Sequence, residues 1–237
     1  GEFLAVGAGA RGLALGNAYV ATARDATAGY WNPAGLSGAV REVHLMHAER
    51  YAGLVDQDFV AATFDAPYTD GAAISLLRLG VEDIAFTTLP NPAAPLGPDN
   101  RPLVSSTETS ADYALYLSGG RQVSDRLALG LSAKVIYRSV ADFSAYGGGL
   151  DVGVRYRLSE DFVLAGTLRD VTTTPIVWDG GTDRIQPSVL FGVGYTRSVG
   201  PGVASLLLSS RGGGDASDQS NAPINAGVEY QHGNLSL

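Results

Sequence analysis

From Arg41 to Leu237 the chain is a succession of short runs in which apolar and polar residues alternate, joined by connections that are by turns very short and long. Period-two alternation places successive side chains on opposite faces of an extended strand. Connections that alternate in length sort onto two sides of a sheet, and a transmembrane β-barrel is the architecture that shows both features. The candidate strands are 42–51, 57–66, 71–79, 110–121, 126–139, 146–158, 161–170, 187–198, 203–210, 222–231 and a last one that starts at 234. Each is close to the ~9–11 residues that cross a bilayer as a tilted strand. The connections 67–70, 122–125, 159–160, 199–202 and 232–233 read as tight turns, rich in Gly, Pro, Asp and Ser. The connections 80–109, 171–186 and 211–221 are longer and belong on the other side.

The run from Leu127 makes the physical case. Leu127, Leu129, Leu131, Ala133, Val135 and Tyr137 share one face, and Ala128, Gly130, Ser132, Lys134, Ile136 and Arg138 the other. Leu150, Val152, Val154, Tyr156 and Leu158 stand likewise against Asp151, Gly153, Arg155 and Arg157, as do Ile224, Ala226, Val228 and Tyr230 against Asn225, Gly227, Glu229 and Gln231. A soluble β-sandwich shows the same alternation. Two features favour the barrel: the unequal loops, and Tyr137, Tyr156, Tyr195 and Tyr230 near the ends of apolar faces, where aromatic girdles sit.

Composition agrees. Only 45% of the residues are hydrophobic, as expected when half of every strand faces a polar interior, and no apolar run is long enough for a transmembrane helix. The absence of cysteine suits an exported protein that needs no disulfides. A net charge of -8 argues against a nucleic-acid partner. A signal peptide is expected for an exported barrel and none is seen, which puts Gly1 near a mature start. Eleven strands is an odd count, whereas an up-and-down barrel closes on an even one, so the expectation is a chain that continues past Leu237.

Residues 1–38 read differently from 39–237. They are rich in Gly and Ala, lack sustained alternation and end in WNPAGL, where Pro33 interrupts regular structure. They are expected to form a compact plug in a barrel built by 39–237. Gly7, Gly9 and Gly12 formally fit a dinucleotide-binding G-x-G-x-x-G, but no strand precedes them, no crossover helix follows and Asp25 comes too early. They are read as close-packed backbone.

The run FLAVGAGARGLALGNAYVATARDATAGYWNPAGL, residues 3–36, resembles the N-terminal signature of the PorV/PorQ family, a branch of the FadL-type outer-membrane barrels. DRLALGLSAKVIYRSV from Asp125, GGGLDVGVRYRL from Gly147 and LRDVTTTPIVWDGGTDRIQPSVLFGVGY from Leu168 extend the likeness over nearly the whole chain. The resemblance implies a 14-stranded barrel, about three strands longer than this chain, with an N-terminal hatch whose NPA motif falls on Asn32, Pro33 and Ala34, followed by Gly35. Asn17 departs from the small Gly expected there, and 80–109 matches poorly.

The resemblance implies two functions. PorV-like members bind secreted cargo and escort it in type IX secretion; FadL-like members pass hydrophobic small molecules through the barrel. A third option is a structural subunit of an envelope assembly. Localisation would be the bacterial outer membrane, with long loops extracellular and both termini periplasmic; partners would be outer-membrane lipid and secretion-machinery or other envelope proteins. The inward faces are expected to carry Asp112, Lys134, Arg138, Asp151, Arg155, Arg157, Arg169 and Glu229, a charged interior that suits a cargo binder better than a hydrophobic ligand, though such charges ordinarily pair with each other or with a plug.

Nothing points to catalysis or to a cofactor. His44 and His47 are three apart in a strand and face opposite ways, His232 falls in a tight turn, and no Ser sits in a G-x-S-x-G elbow. Asp112 and Asp151 are expected to meet interior arginines rather than each other. Asp179, Asp183, Asp215 and Asp218 are read as solvated loop charge, with weak calcium binding as the other option.

Overall fold

A computed structural model describes residues 2–213, 223–233 and 235–236. After a short-helical N-terminal stretch the chain is all strand: β1 Val43–Arg50, β2 Val55–Phe64, β3 Gly71–Thr88, β4 Leu103–Gln122, β5 Leu127–Val140, β6 Phe143–Arg157, β7 Phe162–Arg169, β8 Thr174–Trp178, β9 Gly181–Ile185, β10 Ser188–Val199, β11 Gly202–Gly213, β12 Ile224–His232 and β13 Leu235–Ser236. They form one antiparallel sheet in the order β1 to β7, then β10 to β13, with β8 and β9 attached as a side hairpin through β6. Among the described residues the two ends, β1 and β13, are not paired with each other.

Several expectations need correction. The connection 80–109 is mostly strand. β3 runs for 18 residues and β4 for 20, so that both extend past their neighbours as a two-stranded ribbon. Five prolines, Pro90, Pro92, Pro95, Pro98 and Pro102, confine the irregular tip to 89–102. Connection 171–186 contains the β8–β9 hairpin, whose two-residue Asp179-Gly180 turn is a strong hairpin signal that the reading as a loop passed over. Two connections on the long-loop side, 51–54 and 141–142, are tight, and the left-handed backbone of Tyr51, Ala52 and Ala141 closes them. The length asymmetry is therefore carried by three connections. His232 ends β12 rather than lying in a turn. Ala222 and Asn234, the expected first residues of two strands, fall outside the described residues, as do Asp215 and Asp218.

The sheet curls strongly. Arg11 bonds Glu229 on β12, while Gly9 abuts His44 on β1 and the Val6 carbonyl accepts from Arg50 of β1. In a flat sheet β1 and β12, nine strand spacings apart, would be separated by ~43 Å. The chain from Gly9 to Arg11 spans at most ~7 Å. Both ends of the sheet can reach it only if the sheet rolls round the N-terminal segment.

The two faces differ as the alternation implies. Outward residues are large, apolar and exposed, among them Leu131 (52%), Val135 (60%) and Val228 (73%). Inward residues are buried against the N-terminal segment, whose Tyr19, Tyr30, Trp31 and Leu36 pack with Phe59, Leu77, Ile136, Ile176 and Leu207 of the sheet. Edge-on contacts of Tyr30 with Trp31, Phe59 and Tyr116, at 5.1, 6.2 and 6.1 Å, form the centre of this core.

On the outer face, direct cross-strand pairing lines up His47, Asp58, Arg78, Tyr113, Tyr137 and Tyr146 in one row over β1 to β6. Tyr137 stacks on Tyr113 and Tyr146 at 6.0 and 5.0 Å. Toward the tight-turn end, Tyr156 and the Phe162–Tyr195 pair, with ring centroids 4.6 Å apart, mark a second level.

Candidate functional site on the concave face

The N-terminal segment is held in the curl of the sheet by three kinds of contact. The first is a notch made of glycine. Gly71, Gly120, Gly130 and Gly153 are paired directly across β3, β4, β5 and β6. A Cβ on any of them would collide with the stretch Asn32 to Leu36. Only hydrogen at these four positions lets that backbone lie flat on the sheet. The next position in the row, Thr167 of β7, donates from Oγ1 to the Trp31 carbonyl at 3.0 Å.

Asn32, Pro33, Ala34 and Gly35 occupy this notch. The Asn32 side chain is fully buried: its Oδ1 accepts from the Ala34 N–H at 3.0 Å, and its Nδ2 donates to the carbonyls of Val20 (3.3 Å) and Val154 (3.0 Å). One amide thus caps the 3-10 turn Pro33–Gly38, ties two parts of the segment and anchors both to β6. Gly35 is pressed against the Ala23 backbone. The glycines at 7, 9 and 12 are close-packed, with Gly12 against the Trp31 ring and Gly9 against Thr27. Asn17 adopts a left-handed backbone, φ 67°, which explains why glycine suits the position and asparagine is tolerated.

The second kind comes from Arg169 and Arg138 of the sheet, beside which an ionic set closes among residues 134–174 themselves. Lys134 Nζ lies 2.7 Å from a carboxylate oxygen of both Asp151 and Asp170, all three nearly inaccessible. Thr174 Oγ1 and the Asp170 N–H complete the set, donating to Asp170 and Asp151. Asp151 therefore meets a lysine rather than the expected arginine, and Asp170 was not anticipated. Arg169 is buried over the Tyr30 ring and donates to the carbonyls of Leu4 and Tyr30 at 3.2 and 2.8 Å. Arg138 forks onto Asp112 and lies over Phe3 and Trp178.

The third kind is the Arg11 network. Arg11 donates to both oxygens of Glu229 at 2.8 and 2.6 Å and to the Tyr19 hydroxyl, which donates to Asp25 at 2.8 Å. Burial draws the Arg11 guanidinium down, and its bond to Glu229 with the surrounding negative charge more than restores it. Burial first, and the Asp25 charge second, push the Tyr19 phenol well above its ordinary value.

Of the eight residues expected inside, Asp112, Lys134, Arg138, Asp151, Arg169 and Glu229 make these contacts, and half-buried Arg155 reaches the Ala21 carbonyl at 3.4 Å. Arg157 does not belong with them. It is exposed at the rim, where β6 ends, and donates to the Asp125 carbonyl. His44 packs edge-on against Phe59 on the concave face while His47 bonds Asp58 on the outer face, so they share no ligand geometry. No cluster of three or more metal-ligating side chains occurs among the described residues. Asp183 accepts from Trp178 Nε1 at 2.9 Å, and Asp179 is exposed.

Two spaces lie beside the segment, an open cleft and a smaller, more enclosed pocket. One of ≈470 Å³, at the long-loop end, is bounded by Phe3, Val6, Arg50, Leu79, Val81 and Asp112. A smaller one of ≈160 Å³ lies between Trp31, Arg169, Ser209 and Asn225. The first described residues, Glu2–Ala5, lie at this long-loop end, and the segment crosses the sheet to start β1 at the tight-turn end.

No protein-family model matches this chain, and no curated protein matches it.

Proposed function

We propose that the protein is an outer-membrane β-barrel of the PorV type, in which residues 1–38 form the hatch and the long-loop end binds a secreted or envelope protein partner. The observation that carries this reading is the contrast between faces: an apolar, aromatic-bordered outer surface round a concave side that packs on the N-terminal segment and holds it by buried polar contacts. The function is then non-covalent. The sheet holds the protein in the bilayer, Asn32 and the glycine row seat the hatch, and the ribbon 81–109 projects beyond the rim toward the partner. Its tip is pinned by Asn100, whose side chain bonds Asn91, Ala94 and Pro95. A shaped, charged element of this kind suits protein recognition. Long loops outside would also put Glu2–Ala5 at the outer end of the hatch.

The FadL-like alternative, uptake of a hydrophobic small molecule, draws support from the open ≈470 Å³ cleft beside Phe3 and Val6. Arg50 and Asp112 on its wall, and the hatch packed against the inward face, favour the carrier reading. A structural role in an envelope assembly is the third possibility.

The test is affinity capture of the full-length protein from mildly solubilised outer membranes, with mass spectrometry of co-purifying proteins and lipids. Stoichiometric secretion components or cargo, lost on deleting 89–102 with membrane insertion retained, support the carrier reading. Fatty acids or similar apolar molecules with no protein partner would replace it with transport.

A further inference from the structure

The outer face carries one feature that the partner-binding reading leaves unused. At the tight-turn end of β3, β4 and β5 the apolar surface is interrupted by a groove of ≈710 Å³. Its cause is legible in the register. Gly119 stands opposite Leu131, Leu117 opposite Ala133, and Ala72 opposite Gly119, so small residues at outward positions leave a trough between leucines. Phe64 at the end of β2, with Tyr68 and Thr69 of the 65–70 connection, closes one side, Thr69 packing over Gly119. Arg121 stands at the end of the groove on the same face as Leu117 and Gly119, ~7 Å further along β4 than Gly119.

Arg121 makes no ion pair or side-chain hydrogen bond among the described residues. The nearby acids are engaged: Asp65 pairs with Arg41, and Asp70 accepts from the Gln122 N–H at 2.6 Å. An apolar trough capped by an unpartnered guanidinium matches a molecule with a long hydrocarbon chain and an anionic head. Guanidinium forks match phosphate oxygens in particular.

We propose that this groove binds one anionic glycerophospholipid from the leaflet at the tight-turn end, with an acyl chain along Leu117, Leu129 and Leu131 and the phosphate on Arg121. The inference rests on the membrane-spanning reading above. Its occupant differs from that reading's partner, which acts at the opposite end of the sheet.

The experiment uses the full chain reconstituted in vesicles of phosphatidylcholine or of phosphatidylglycerol, then extracted into mild detergent for native mass spectrometry. Arg121→Gln removes the charge, and Ala133→Trp fills the trough with a side chain suited to a lipid-facing strand. The wild type is expected to retain one phosphatidylglycerol, about tenfold more than phosphatidylcholine. Arg121→Gln should erase that preference, and Ala133→Trp should lower retention of both lipids. Equal retention in wild type and Ala133→Trp overturns the site, and equal retention of the two lipids by the wild type overturns the role of Arg121. A dimer lost in Ala133→Trp would assign the groove to a second copy and also overturn it. Failure to float with vesicles at all would sink the membrane reading itself, an outcome separate from insertion without retained lipid.

Discussion

Tyr146 and Tyr156 lie on one face of β6, ten residues apart, with Gly148, Leu150, Val152 and Val154 between them on that face. Ten residues of strand span ~33 Å. At the ~40° tilt usual for barrel strands, the two rings would stand ~25 Å apart along the membrane normal, which is the height of an apolar band between aromatic girdles. This spacing agrees with the proposed membrane location.

If the band faces lipid, charge should cost more at its middle than at its border. Leu150→Arg is expected to destabilise the protein in vesicles by ~2–4 kcal/mol, and Val177→Arg, paired beside Tyr146, by ~0–1 kcal/mol. Urea unfolding in vesicles, followed by tryptophan fluorescence, reads both. Equal costs would contradict the proposed depth.

The glycine row predicts a defect confined to the seat. A Cβ on Gly130 collides with the Pro33–Ala34 backbone, whereas one on Gly181 meets nothing within 4 Å. Gly130→Val should cost ~1–3 kcal/mol and open residues 2–38 to trypsin, with Gly181→Val as the unaffected control. Protection of the segment in Gly130→Val would show that the notch does not hold it.

The buried set around Lys134 is a test of charge balance. Lys134→Met leaves Asp151 and Asp170 without their shared cation and is expected to cost ~3–5 kcal/mol. Asp170→Asn leaves Lys134 one carboxylate and should cost less. Thermal unfolding in detergent measures both, and the reverse order would mean that Asp170 serves chiefly to hold Thr174 and the β8–β9 hairpin.

Alkaline titration bears on Tyr19. Its phenol is raised in the folded chain, so the neutral form is the one the fold favours. The stability it contributes is complete below the unfolded value of ~10 and is lost as pH rises beyond it. Wild type should therefore lose stability above about pH 10 more steeply than Tyr19→Phe. Identical alkaline limbs in the two proteins would show that Tyr19 is not coupled to folding.

The sequence alone determined the strands and their two faces, because period-two alternation is a local property. Leu127 to Arg138 announces itself without any knowledge of its neighbours, and the charged inward positions followed from it. The ribbon of β3 and β4 was missed because its exposed residues, such as Glu82, Asp83 and Thr107, alternate weakly outside the band that needs an apolar face. Tertiary structure decided the rest. Gly71, Gly120, Gly130 and Gly153 are unremarkable along the chain and become a notch only once cross-strand register sets them side by side. Arg11 and Glu229 are 218 positions apart, and no local pattern links them. Their meeting depends on the curl of the whole sheet, an accumulated effect of strand twist and of the volume of the N-terminal segment inside it.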